Sequence, residues 1–143
     1  MILCDVNVLV YAHREDAVDH ERYATWLDEA LDSEQAYGVS DLVLSRFVRI
    51  VTNRRMVEAP ATIGEALAFT NELRERPNAV MLAPGPRHWG IFERLCRDVD
   101  ATGNLVPDAY LAALAIEHGA ELITTDRDFA RFDQLRWRHP LAG

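Results

Sequence analysis

An α/β fold, with helices on both faces of a short, mostly parallel sheet, is what this sequence predicts. Three observations predict it. Short apolar runs alternate along the chain with longer segments of helical period, the order that builds parallel sheets. Two of these runs, Met1–Cys4 and Glu121–Thr125, are each closed by an aspartate, Asp5 and Asp126. A third acid, Asp108, opens a helical segment after Val106-Pro107. If the runs are parallel strands, their carboxyl ends meet at one crevice, where open α/β sheets bind ligands.

Each element has its own signal. Ile2–Asp5 reads as a buried strand and Asn7–His13 as a short helix or turn. His20–Leu31 is amphipathic, with Tyr23, Trp26, Leu27, Ala30 and Leu31 at helical spacing. Gln35–Val39 is a second short strand. Ser40 caps a helix through about Thr52, its apolar side Val43, Phe47, Ile50 and Val51. Asn53–Pro60 is a loop. Thr62-Ile63-Gly64-Glu65 is a capping box that opens a helix through about Arg76. Ala79–Leu82 is a strand, ended by Pro84-Gly85-Pro86. His88–Asp100 is helical, and the spacing turns Trp89, Phe92, Leu95, Cys96 and Val99 inward. After the turn Thr102-Gly103-Asn104, Pro107 suits a first helical turn and Gly119 a helix end. Glu121–Thr125 is a strand, Arg127–Phe132 a short helix or turn, and Gln134–Trp137 a last strand.

Composition narrows the function classes. With 143 residues, 49% hydrophobic and 27% charged, the chain suits one soluble domain over residues 1–143 with its own core. No apolar run approaches the ~20 residues that span a bilayer. The apolar start has no basic leader and contains Asp5, so it reads as a strand rather than a signal peptide, and a cytoplasmic location is expected. The formal charge of −8 argues against a broad basic nucleic-acid surface. Pooled acids at a metal site would account for part of that charge. All 15 basic residues are arginine, which supplies fork-shaped phosphate ligands. Cys4 and Cys96 lack metal-ligand spacing and read as packing residues. None of the five histidines shows paired zinc spacing, and no P-loop or GxGxxG is present.

Asp5, Asp108 and Asp126, with Asp128 nearby, therefore carry the chemistry. Each alone is more simply a cap or turn residue. Together at one sheet edge they repel one another, and a hard divalent cation, Mg²⁺ or Mn²⁺, is the usual answer. Such a site can lower the pKa of a bound water and stabilise charge on a phosphodiester.

Three stretches resemble the PIN-domain ribonucleases, specifically the VapC toxins of type II toxin–antitoxin pairs. They are Ile2–Leu9 (ILCDVNVL), Gly103–Ala115 (GNLVPDAYLAALA) and Leu122–Phe129 (LITTDRDF). Val48–Asn53 and Leu135-Arg136-Trp137 also resemble that family. The resemblance runs in order along essentially the whole chain. It implies a PIN-like three-layer α/β/α fold and divalent-metal-dependent cleavage of structured RNA, tRNA or rRNA. It implies a VapB-type antitoxin and a second copy of the chain as partners. By matched position, Asp5 and Asp108 are implied as primary metal ligands and Asp126 as a ligand or water-positioning acid. Asp128 is an outer member of the catalytic set, and Asn7 and Thr125 orient the carboxylates.

One position departs from the family's pattern. Where the family usually carries a glutamate, this chain has Arg46. Arg46 either points to solvent, pairs with the aspartates and weakens metal binding, or offers its guanidinium to an RNA phosphate. Asp41 and Asp128 are the nearest candidates to replace the missing acid. Arg46, Arg49 and Asn53 share one helix face, so Arg49 is a second possible phosphate contact. The alternative to an active nuclease is then a catalytically weakened PIN fold that binds RNA or an antitoxin.

Overall fold

The computed structural model describes residues 1–142, which form a parallel sheet of five short strands. The strands are β1 (Ile2–Cys4), β2 (Tyr37–Val39), β3 (Ala79–Met81), β4 (Glu121–Ile123) and β5 (Trp137–Arg138). The α-helices are α1 (Val6–His13), α2 (His20–Asp32), α3 (Asp41–Val51), α4 (Ile63–Glu75), α5 (His88–Val99) and α6 (Leu105–Glu117). A 3₁₀ helix covers Arg127–Arg131. The strand order is β3-β2-β1-β4-β5. The chain grows outward from β1 to β3, then crosses back to place β4 on the other side of β1. The switch point of the sheet therefore lies between β1 and β4, and the α/β/α architecture is the expected one.

Sequence chemistry explains the elements that frame this switch point. Leu3, Leu122 and Ile123 are essentially fully buried, so the two central strands read as continuous apolar runs. Helix α6 is buried on most sides, and Ala109, Ala112, Ala113 and Ala115 let it lie close against its neighbours. It ends at Gly119, whose φ of +67° closes a Schellman turn. In that turn the N–H of Ala120 reaches the carbonyl of Ala115 at 2.9 Å and the N–H of Gly119 that of Ile116 at 3.1 Å. Gly38 in β2 is small for another reason: a Cβ there would collide with the side chain of Leu82. Helix α4 begins in the expected capping box, with Thr62 and Glu65 exchanging bonds at 3.1 Å in both directions. Ser40 caps α3. Helices α1 and α3 pack on each other, α2 on α1, α4 on α3, and α5 on α6.

Several boundaries differ from those expected. The strands are shorter than expected, although Asp5, Ser40, Leu82 and Thr124, which directly follow the first four, are still buried. The last strand is Trp137–Arg138 rather than Gln134–Trp137; Leu135 is buried but lies before the ladder. Trp89 is a correction: helical spacing turned it inward, yet it is 65% exposed. Helix α5 buries His88 and Leu95 and packs Phe92, Cys96 and Val99 against the core, so Trp89 alone of the expected inward residues stays open. Among the described residues no helix is long and apolar enough to cross a membrane.

Candidate active site

Asp5 follows β1 without a linker. Its backbone N–H bonds the carbonyl of Ile123 at 2.8 Å, which ties it to the end of β4. Its side chain caps α1, with Oδ1 accepting the Val6 N–H at 2.7 Å. Oδ2 accepts the hydroxyl of Thr124 at 2.8 Å. Asp5 is thus a buried acid held at both oxygens, and each oxygen keeps a lone pair for a further ligand. The cap reading is correct for this residue, and capping leaves its carboxylate available to the crevice.

Thr124 joins the two strand ends. The same hydroxyl that donates to Asp5 accepts the backbone N–H of Asp126 at 3.1 Å. Asp126 in turn caps the 3₁₀ helix, its Oδ1 accepting the N–H of Asp128 at 2.9 Å. Asp108 sits in the first turn of α6, where the helix dipole favours negative charge. The structure thus brings Asp5, Asp108 and Asp126 to the switch point, with the exposed Asp128 at the rim.

Electrostatics bind the four into one unit. Burial pushes the Asp108 carboxyl up to about 6, and the charges of Asp126, Asp5 and Asp128 push the same way, against Arg46. Burial also raises Asp5, with Asp126 adding to it. The Thr124 and Val6 hydrogen bonds and Arg46 hold it down. Asp5 and Asp108, held up by burial and by neighbouring carboxylates, are short of positive charge.

The second group of expectations divides. The hydroxyl that bonds Asp5 belongs to Thr124, one residue before the expected Thr125; Thr124 is completely buried. Asn7 is half-buried in the first turn of α1, and among the described residues its amide makes no hydrogen bond to an aspartate. Arg46 does not simply face solvent. It is half-buried, and its charge acts on both Asp5 and Asp108, yet it forms no ion pair with either among the described residues. Arg49 is exposed on α3. Asp41 does not replace the missing acid, because it is turned to Arg74 at 2.8 Å. His13 lies between Phe47 and Phe69, and His20 bonds the carbonyl of Tyr11, so neither enters the cleft. Burial beside Asp5 pushes the Cys4 thiol up to about 12, which leaves it inert as a nucleophile.

The donor set suits a hard divalent cation: all oxygen, all carboxylate, partly desolvated and mutually repelling. Among the described residues, no three Asp, Glu, His or Cys side chains converge tightly enough to hold one ion as they stand. In this set Asp5 and Asp108 would hold such an ion, with Asp126 beside them.

A doubly wound parallel sheet with clustered aspartates at its switch point defines a class of acidic-cleft α/β/α proteins. The PIN domain matches this chain over residues 2–135. Ribonuclease VapC43 of Mycobacterium tuberculosis is 47% identical over 143 residues, covering all of this chain and 97% of that protein. Ribonuclease VapC25 of the same organism is 41% identical over 140 residues, covering 98% and 99%. The VapBC2 complex of Rickettsia felis, solved with a promoter DNA fragment, matches in fold with a TM-score of 0.71 at 17% identity, covering 97% of this chain and 98% of that one. The chain belongs to the VapC group of the PIN-domain family.

Proposed function

We propose that the protein is a divalent-metal-dependent endoribonuclease, the toxin of a type II toxin–antitoxin pair, acting on structured RNA such as tRNA or rRNA. The observation that carries this reading is the single electrostatic unit of Asp5, Asp108, Asp126 and Asp128 at the switch point. Relatives that align along the full chain and are named ribonucleases support it.

In this reading Asp5 and Asp108 are the principal holders of Mg²⁺, with Mn²⁺ as substitute, and Asp126 joins them. When bound, such an ion supplies neutralising charge and Lewis acidity to a phosphodiester. Thr124 fixes the rotamer of Asp5, so the carboxylate is oriented before substrate arrives. Asp126, with one oxygen occupied by the Asp128 N–H, keeps the other free to orient a water or accept its proton. Arg46 pairs with a phosphate oxygen in this reading. The partners are a VapB-type antitoxin and a second copy of the chain, in the cytoplasm.

The second reading is a weakened PIN fold that binds RNA or an antitoxin without cutting. The Arg46 charge among the carboxylates favours it. Cleavage of tRNA and rRNA by the parent and by Asp5→Ala, with Mg²⁺ and Mn²⁺ titrated, separates the two. Metal-dependent cutting lost in Asp5→Ala is the expected result. Equal, metal-independent background in both proteins would leave only the binder. Co-purification with the product of a short adjacent reading frame tests the antitoxin assignment.

A further inference from the structure

One cavity adjoins the acids and shares Arg46 with them. A groove of about 440 Å³ opens between the start of α3, the segment after β3 and the start of α6. That volume lies within the ~300–1,000 Å³ usual for small-ligand sites. Arg46 lines it, as do Met81, Pro84, Pro107, Phe92 and Tyr110. Pro107 immediately precedes Asp108, so the groove and the acids share the first turn of α6. Arg46 belongs to both, since it lines the groove and acts on Asp5 and Asp108.

The aromatic side of the groove is built as a row. Tyr110 meets Phe92 edge-on, with centroids 5.6 Å apart. Phe92 meets Trp89 at 5.1 Å, and Trp89 stands 65% exposed at the end of the row. An aliphatic ligand would have no use for the guanidinium, and a free phosphate no use for the rings. A nucleotide uses both: its base stacks on an aromatic face and its phosphate meets the arginine. The base has to be unpaired, because a paired one presents no free face to a groove of this size.

We infer that this groove binds an unpaired nucleobase flanking the phosphate on which the aspartates act. The inference rests on the ribonuclease reading and adds to it a recognition site for one base beside the cut. Phe92 and Tyr110 form the stacking wall, Trp89 extends it outward, and Arg46 sets the spacing between base and scissile phosphate.

The test uses fluorescence anisotropy with a labelled single-stranded oligoribonucleotide and a labelled RNA stem of equal length, in EDTA so that binding is read without cleavage. Phe92→Leu keeps apolar volume but removes the ring, and Trp89→Ala removes an exposed ring with no role in the core. Leu67→Ala, exposed on α4, is the control. Both aromatic variants are expected to weaken single-strand binding by about tenfold, to leave stem binding unchanged, and to lower kcat/KM on RNA in proportion. Single-strand binding equal to the parent's in both variants overturns the pocket while leaving cleavage by the parent intact. Equal losses on strand and stem also overturn it. So does loss of self-association by sedimentation with RNA affinity unchanged, which would make the groove an interface between copies. Ring-dependent binding by a parent that cuts no RNA with any metal would support the pocket and sink the ribonuclease reading instead.

Discussion

The hydroxyl of Thr124 donates to Oδ2 of Asp5 at 2.8 Å, across the seam between the two central strands. Both residues are buried, and the same hydroxyl accepts the Asp126 N–H. One side chain therefore sets the positions of two acids that arrive from opposite ends of the sequence. Thr124→Val keeps the shape and removes both bonds. It is expected to cost about 1–3 kcal/mol in urea denaturation, the usual penalty for an unpaired buried polar group. Mn²⁺ affinity by calorimetry is expected to fall about 10–100-fold, as for other residues that orient metal-binding groups. Thr124→Ser should recover most of both. Thr125→Val should resemble the parent; a larger effect at Thr125 than at Thr124 would reverse the assignment.

Asp108 gives a pH dependence with a definite sign. Its ordinary value is 3.8, and the fold holds it at about 6. The folded state thus binds a proton that the unfolded state has released, so this residue's contribution to stability is fully present below about pH 4. It is lost as pH rises through about 6. In EDTA, the melting temperature of the parent relative to Asp108→Asn is expected to fall between pH 4 and pH 6.5 and to level off above. At neutral pH Asp108→Asn should be the more stable protein and the less active one. Adding Mn²⁺ should raise the melting temperature of the parent much more than that of the variant. A parent-minus-variant difference that does not change with pH would remove the coupling.

Much of this site is legible in the sequence because its acids fall at punctuation points: a strand end for Asp5, a first helical turn for Asp108, a strand exit for Asp126. What is not legible depends on direction rather than position. The expected strand through Thr125 ends at Ile123, so the alternation of faces no longer applies there, and the hydroxyl that reaches Asp5 is one residue earlier. Trp89 follows the same helical stripe as Leu95, but which part of that stripe is covered depends on the neighbours of α5, and they reach Phe92, Cys96 and Val99 without covering Trp89. Helical spacing puts Arg46 on one face with Arg49, but only the packing of α3 half-buries Arg46 beside the acids and leaves Arg49 exposed.

Arg46 sets two affinities against each other. Its charge lowers the carboxyls of Asp5 and Asp108 and so competes with any cation bound there. Arg46→Glu removes that competitor and adds a ligand oxygen. Mn²⁺ binding by calorimetry is expected to tighten about tenfold, and cleavage at limiting metal to rise. The KM for RNA at saturating metal should rise too, because the guanidinium no longer meets the phosphate. If the variant binds Mn²⁺ no better than the parent, Arg46 does not hold down the metal affinity of the cleft.

Glu117 holds the wall of the groove from behind. Its side chain is only 5% exposed. Its Oε1 accepts the Gly85 N–H at 2.7 Å and its Oε2 the Arg87 N–H at 2.9 Å. His118 bonds the carbonyl of Ala83 at 2.8 Å, so one helix end fixes the whole segment from Ala83 to Arg87. Burial alone would raise the Glu117 carboxyl, but these two N–H bonds and His118 outweigh it and hold it below its ordinary value. The stability it supplies is therefore present above about pH 4.5 and lost as pH falls below that. Glu117→Gln turns one acceptor into a donor facing a backbone N–H. It is expected to cost about 1–3 kcal/mol by urea denaturation at pH 7, and less as the pH is lowered toward 4. Because Pro84 lines the groove, the variant should also weaken single-stranded RNA binding while leaving Mn²⁺ affinity at the aspartates unchanged. A matching loss of Mn²⁺ affinity would mean that the segment supports the acids as well as the groove.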